Sequence, residues 1–281
     1  MLSGAITVAG LIVFLIQGFN LGTDFRSGSQ LQLSGNYSVA QVQRIMKPYG
    51  VTVSPSNVTT GQAGHAVTIV RLGEVLTATQ VQDFQKKYPE TQANTVNPFE
   101  AQLTSRKAVW AVLIASLFIV AYVAVRFEYR FGVAGIIALL HDAFIVMSVF
   151  ALLRLPVDLL FVTAVLTIVG YSINDTIVIF DRIRENLKLH KPTTFEELER
   201  ITNRSLWQTM TRSINTVTTV LIAALMLYFF GGATLKYFTF ALIVGLVSGA
   251  YSSIFIASPI WVVWRGRGMP RANPQTEQET V

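Results

Sequence analysis

Four ionisable residues lie inside runs that are otherwise apolar: His141, Asp142, Asp175 and Arg212. A charge at the centre of a bilayer costs about 2.5–3.5 kcal/mol on insertion scales, so such residues face a bundle interior or a wet cavity and have a partner or a task. Asp175 stands about five residues before the end of the apolar segment Leu159–Phe180, and Arg212 about five residues into the segment that starts at Trp207. At 1.5 Å per residue both lie roughly 7–8 Å from one boundary. The helical period puts Tyr171, Asn174, Asp175 and Val178 on one face, and Thr209, Arg212, Ser213 and Thr216 on one face of the next segment. Two polar stripes at equal depth are expected to face each other or to share a wet cavity. Desolvation favours the neutral form of a carboxyl group, and a nearby cation favours its charged form. A carboxyl whose distance from a guanidinium varies therefore alternates between holding and releasing a proton. Each proton that crosses the membrane carries ~2.3 kcal/mol per 100 mV, enough to bias a two-state movement. The alternative is a fixed salt bridge or hydrogen-bonded pair that sets helix register. His141-Asp142, near the middle of another apolar run, suits a proton relay or a helix cap against a neighbouring loop.

The elements that must position these groups follow from composition. Hydrophobic residues make up 52% of the 281 and charged residues only 14%, against roughly a quarter charged in soluble domains. The mean hydropathy is +0.49, and the apolar residues fall in discrete runs, as in a multi-span membrane protein. Six runs predict spans: Met1–Phe19, Ala108–Val125, Phe131–Leu153, Leu159–Phe180, Trp207–Phe230 and Tyr237–Trp264. The first has neither a basic n-region nor an A-x-A site before Asp24, so it reads as a span and not as a signal peptide. The loops after spans two and four, with the tail, hold eleven Lys/Arg (Arg126, Arg130, Arg182, Arg184, Lys188, Lys191, Arg200, Arg204, Arg265, Arg267 and Arg271); the short loops opposite hold only Arg154 and Lys236. The positive-inside rule places both termini in the cytoplasm and residues 22–106 outside. The net charge of +6 thus reflects topology, and nucleic acid is not an expected partner. Arg154 and Asp158, at the short turn around Pro156, read as interfacial anchors.

Residues 22–106 read as a domain. "GSQLQLS" alternates with period two, and "SVAQVQRIMKPYG" starts at a Ser cap and ends before Gly50. "VTVSPSNVTT" and "HAVTIVRL", split by "GQAGH", suggest a hairpin. "TATQVQDFQKKYP" repeats the helix pattern with Val81 and Phe84 inward, and "QANTVNPF" supplies a last strand. The order β-α-β-β-α-β fits a small ferredoxin-like module. His65 reads as a surface histidine. There are no cysteines, and no Ser-His-Asp arrangement or metal cluster is suggested, so neither an enzyme nor a cofactor is expected. The inner segment 181–206 reads as an amphipathic helix, a Pro-Thr-Thr break and a second helix capped by Thr193 or Thr194, lying on lipid headgroups. In the last span Gly245, Gly249 and Ser253 repeat every four residues, a small-residue face for close helix contact.

These residues also carry a family resemblance. "GYSINDTIVIFDRIREN" (Gly170–Asn186) looks like the signature of the SecF family, the smaller half of the bacterial SecD–SecF export factor. "NRSLWQTMTRSINT" (Asn203–Thr216) resembles the family's fifth-span region, "LYFFGGATLKYF" its outer Gly-Gly turn, "GAYSSIFIASP" (Gly249–Pro259) its sixth span, and "LGTDFRSGSQL" (Leu21–Leu31) the start of its outer domain. The likeness runs in order along nearly the whole chain. It implies six spans in a resistance-nodulation-division-like arrangement, SecD as partner, association with the SecYEG channel, and use of the proton gradient to help draw preproteins outward. It also implies that Asp175 and Arg212 are the functional aspartate and arginine. One departure is plain: the usual Asp-Phe-x-Gly-Gly-Thr reads Asp24-Phe25-Arg26-Ser27-Gly28-Ser29, so Ser27 stands where a glycine would give the backbone more freedom.

The expectation is therefore an α-helical membrane protein of the bacterial cytoplasmic membrane. Its parts are span one at 1–21, an extracytoplasmic α+β domain at 22–106, five further spans with the inner loop within 107–265, and a cytoplasmic tail at 266–281. It is expected to be non-enzymatic, with SecD, SecYEG, preprotein and membrane lipid as partners. The rival readings are a proton-coupled small-solute exporter half of the same superfamily and a structural scaffold of the channel.

Overall fold

The structure is a computed structural model that describes residues 2–61 and 66–271; His65 and most of the tail lie outside the described residues. The chain opens with helix α1 (Leu2–Gln17), about 24 Å long at 1.5 Å per residue, and a two-residue strand β1 (Asn20–Leu21). Strand β2 (Gly28–Ser34) follows. Helix α2 (Val39–Met46) begins with a capping box between Ser38 and Gln41 and stops in a 3₁₀ turn at Lys47–Tyr49, closed by left-handed Gly50 (φ 75°). The next β-branched run yields only β3 (Val58–Thr60), because Pro55 opens a 3₁₀ turn over Pro55–Asn57. Val51 and Val53 are buried all the same. Strand β4 (Val67–Leu72), helix α3 (Ala78–Lys87) with a second capping box at Thr77, and strand β5 (Gln92–Val96) complete a four-stranded antiparallel sheet in the order β3-β4-β2-β5. Leu31, Leu33, Val42, Met46, Leu72 and Phe84 fill its core.

Among the described residues five helical stretches are long and apolar enough to cross a membrane. They are α4 (Pro98–Arg126), α5 (Tyr129–Leu152), α6 (Leu159–Leu189), α7 (Phe195–Phe230), and the stretch Ala233–Arg265. Strand β6 (Pro156–Val157) precedes α6 and pairs in parallel with β1. The last stretch comprises α8 (Lys236–Ser252) and α9 (Ser258–Arg265), joined by a wide π turn at Ser253–Ala257.

The inner segment differs from expectation. Residues 181–189 continue α6 and residues 195–206 belong to α7, so the two expected surface helices are extensions of the long ones. No Gly or Pro interrupts the run before Pro192, so nothing stops the helix earlier. The break falls where expected: the Glu197 N–H donates to Thr194 Oγ1 (3.3 Å) at the start of α7.

The chain divides into two compact units. One gathers Met1–Ala115, Phe144–Leu166 and Ile222–Val244; the other gathers Ser116–Ala143, Thr167–Leu221 and Gly245–Val281. In the first, Arg71 of β4 is buried, donates to Thr59 (3.0 Å), approaches Asp158 at 3.9 Å and lies over the Tyr237 ring. Asp158 also caps α6 through the Phe161 N–H (2.9 Å). Arg154, at φ 54°, donates to the Gly18 carbonyl (2.6 Å). Both residues thus tie neighbouring elements of this unit to one another. Ser27 has no positive φ, so the missing family glycine costs nothing in backbone freedom there. The glycine the sheet needs is Gly28, where a Cβ would stand 2.0 Å from the Leu72 carbonyl oxygen. In the second unit Phe131, Phe180 and Trp261 pack with Ile183 in the core, with Phe131 stacked on Trp261 at 4.3 Å.

Candidate functional site

The α6–α7 hairpin is joined by polar contacts. Asn186 Nδ2 donates to Ser205 Oγ and Gln208 Oε1, each at 2.8 Å, and Arg182 donates to Gln208 at 2.7 Å. Deeper in, the Ser213 hydroxyl donates to Asp175 Oδ1. The two stripes read from the sequence therefore meet, but through Ser213. Arg212 is exposed at the edge of the same face. Thr209 is buried and donates to the Ser205 carbonyl of its own helix (3.1 Å).

Asp175 Oδ2 is closed off from solvent and has no hydrogen-bond partner among the described residues. A cavity of about 20 Å³ lies beside Asp175, lined among others by Tyr171, Asn174, Thr216 and Gly249. That is room for about one water molecule. A carboxylate with one oxygen fixed and the other open can take up or give back a proton with little rearrangement.

Asp142 is placed differently. It is completely buried and saturated with donors. Ser172 and Ser252 donate to Oδ2, both at 2.6 Å, and Ser248 donates to Oδ1 at 2.7 Å. His141 Nδ1 stands 3.2 Å from Oδ1. Asp142 is thus a cross-brace between α5, α6 and α8, since hydroxyls from both partner helices converge on it. Sequence reasoning named Asp142 and His141 but missed Ser172, Ser248 and Ser252. A signal was present, in that Ser248 and Ser252 are four apart on one face. It was weak, because serines in helices often satisfy only their own backbone.

The small-residue face of the last span lies against α6. A Cβ on Gly245 would stand 2.2 Å from Ile168 Cδ1, and one on Gly249 would stand 3.2 Å from Ser172 Cβ. Thr176 and Ser253 hydroxyls meet at 2.9 Å. This close approach carries Ser248 and Ser252 to Asp142 and walls the cavity beside Asp175.

The profile of the family described as Protein export membrane protein SecD/SecF, C-terminal, matches residues 76–267, and that of the SecD/SecF GG Motif matches residues 12–34. The chain belongs to the SecD/SecF family of protein export membrane proteins. It is a helical membrane protein. Similar proteins include the protein translocase subunit SecF of Alicyclobacillus acidocaldarius, 59% identical over 97% of this chain and 92% of that one. Another is the protein translocase subunit SecDF of Bacillus subtilis, 42% identical over 97% of this chain but only 38% of that longer one. The crystal structure of SecDF from Thermus thermophilus, described as a translocon-associated membrane protein, matches with a TM-score of 0.79 and 34% identity over 94% of this chain and 37% of that one. A SecDF structure in a super-membrane-facing form gives a TM-score of 0.65 at 32% identity.

Proposed function

We propose that this chain is the SecF-type accessory subunit of the Sec translocase in the bacterial cytoplasmic membrane, and that it couples the proton gradient to the outward movement of preproteins. Its partner is a SecD-type half, a reading supported by relatives in which one polypeptide includes both and this chain matches 38% of the length. The SecYEG channel and the preprotein are the further partners. α1 serves as a sixth span beside the five longer stretches, both termini are cytoplasmic, and the sheet of β2–β5 forms a ferredoxin-like module on the outer side. The strand order β3-β4-β2-β5 with two helices supports that assignment.

The observation that carries the mechanism is the open oxygen of Asp175 beside a cavity of one-water size. Protonation removes the charge from the α6–α7–α8 contact; release restores it. Arg212, one residue from Ser213, approaches or withdraws as α7 shifts and so favours one state. Asn174, Tyr171, Ser213 and Thr216 provide the polar path. Each state of the carboxyl favours one packing of the helices, and the outer module moves with them. The test is Asp175→Asn, which keeps size but fixes the neutral form. Export driven by the gradient is expected to fall to the unstimulated level in cells or proteoliposomes, with ATP-driven export retained. Full gradient stimulation in this variant would leave the scaffold reading standing.

A further inference from the structure

Asp142 is a buried acid that the Asp175 mechanism leaves unused. Its polar neighbours come from three helices of the second unit: His141 beside it on α5, Ser172 of α6, and Ser248 and Ser252 of α8. Ser172 differs from the two α8 serines in one respect. It also lines the one-water cavity beside Asp175, and they do not. A hydroxyl has one hydrogen and two lone pairs. The Ser172 hydrogen goes to Asp142 Oδ2 at 2.6 Å, so its lone pairs can accept from a water in the cavity. Ser172 and Asp175 are three residues apart on one face of α6. A line of oxygens thus runs from Asp142 through Ser172 and the cavity to Asp175.

The Asp142 carboxyl can hold a proton without orphaning its partners. In the charged form it accepts from the three serines and, with the imidazole hydrogen on Nδ1, from His141 at 3.2 Å. In the neutral form Oδ2–H donates back to Ser172, whose own hydrogen turns to the cavity. Ser252 then has a second acceptor, the Gly249 carbonyl at 3.2 Å. We propose that Asp142 is a second proton station, reached from Asp175 through Ser172 and one water; this rests on the proton role given above to Asp175. The transfer balances at every oxygen. Protonated Asp175 gives its proton to the cavity water, the water gives one of its hydrogens to Ser172 Oγ, and Ser172 passes its own hydrogen to Asp142 Oδ2. One O–H bond breaks at Asp175 and one forms at Asp142. The negative charge moves the other way, from the α5–α6–α8 brace to the α6–α7 contact, so neutralising one joint charges the other. Of the other ionisable side chains, Tyr171 of α6 lines the cavity, Tyr251 of α8 lies with its ring 6.4 Å from that of His141, and Arg212 of α7 is exposed at the edge of its helix.

The test compares Ser172→Ala with Ser248→Ala in the full chain. Each removes one hydroxyl from the same carboxyl, and only the first breaks the line of oxygens. Both are expected to lower the thermal midpoint in detergent by a similar amount. Gradient-stimulated export is expected to fall to the unstimulated level in Ser172→Ala and only partly in Ser248→Ala. The second readout is infrared difference spectroscopy of the full chain in lipid vesicles, taken between acid and neutral pH. In Asp175→Asn a protonated-carboxyl band is expected to remain, and to shift when Ser172→Ala is added, because it belongs to the carboxyl that Ser172 touches. Equal export losses in the two serine variants would reduce Ser172 to a brace and overturn the proposal. So would full stimulation in Ser172→Ala, or the lack of any carboxyl band that responds to Ser172→Ala; in these cases Asp175 keeps its role if Asp175→Asn still abolishes stimulation. Full stimulation in Asp175→Asn would overturn both readings together.

Discussion

Two carboxylates in one helical unit have opposite surroundings. Asp142 has both oxygens occupied by serine hydroxyls; Asp175 has one oxygen open. Asp142→Ala leaves three buried hydroxyls without their acceptor. The expected result is a loss of about 3–5 kcal/mol of stability, read as a lower thermal midpoint in detergent, whereas Asp175→Asn leaves that midpoint nearly unchanged. Asp158 gives a pH prediction in the other unit. Burial pushes its carboxyl up from the ordinary value, and Arg71 offsets this only in part. Burial also pushes Arg71 down, so at 3.9 Å their attraction does not outweigh desolvation of either group. Arg71 titrates far above any working pH. With the folded value of Asp158 above the unfolded one, the native state holds the proton more tightly. Stability is greatest below the unfolded carboxylate value and falls as pH rises through the folded one. Asp158→Asn is expected to flatten that slope above the ordinary carboxylate range, measured by hydrogen exchange in β4. Asp175 was legible in the sequence because an acid in an apolar run has few innocent explanations. The partner that actually touches it was not, since Ser213 and Arg212 share one face and only coordinates separate them.

Between elements, the α6–α8 contact depends on absent side chains. Gly245 leaves space for Ile168, and Gly245→Val would drive its Cβ into that side chain. The expected cost is about 1–3 kcal/mol, read by thermal denaturation, and Ile168→Ala in the same chain is expected to recover part of it. The small-residue face was readable from the four-residue repeat, but not that α6 packs on it. The starts of α2 and α3 were readable, because a capping box is local and needs nothing beyond four residues. The pairing of β1 with β6 was not, since two residues on each side carry no periodicity and the partners are far apart in sequence. In the segment 181–206 the helix, break and second helix were readable, but not that they continue α6 and α7, since a polar composition does not end a helix and Pro192 does.

Across the molecule, burial of the long helices is uneven. Half of the α5 apolar window is buried within the chain, but only 11% of that of α4 and of α7. Leu117 and Phe118 on α4 are 67% and 71% exposed. Such faces need lipid or another helical half to cover them. The chain has no cysteine, so a single cysteine at Phe118 can carry a spin label without a background signal. Co-expression with the proposed SecD-type half is expected to slow the label and shield it from lipid-soluble oxygen. An unchanged spectrum would assign that face to lipid.

The wide turn at Ser253–Ala257 carries one residue more than regular winding needs. At its start, Ser252 and Ser253 reach Asp142 and Thr176; downstream, Trp261 reaches Phe131. One residue of an α-helix corresponds to about 100° of rotation. The surplus acts as a phase shifter that brings two otherwise incompatible faces of one rod into simultaneous use. Wound evenly with every residue kept, the rod would turn the indole of Trp261 away from its ring partner while the serines stayed in place.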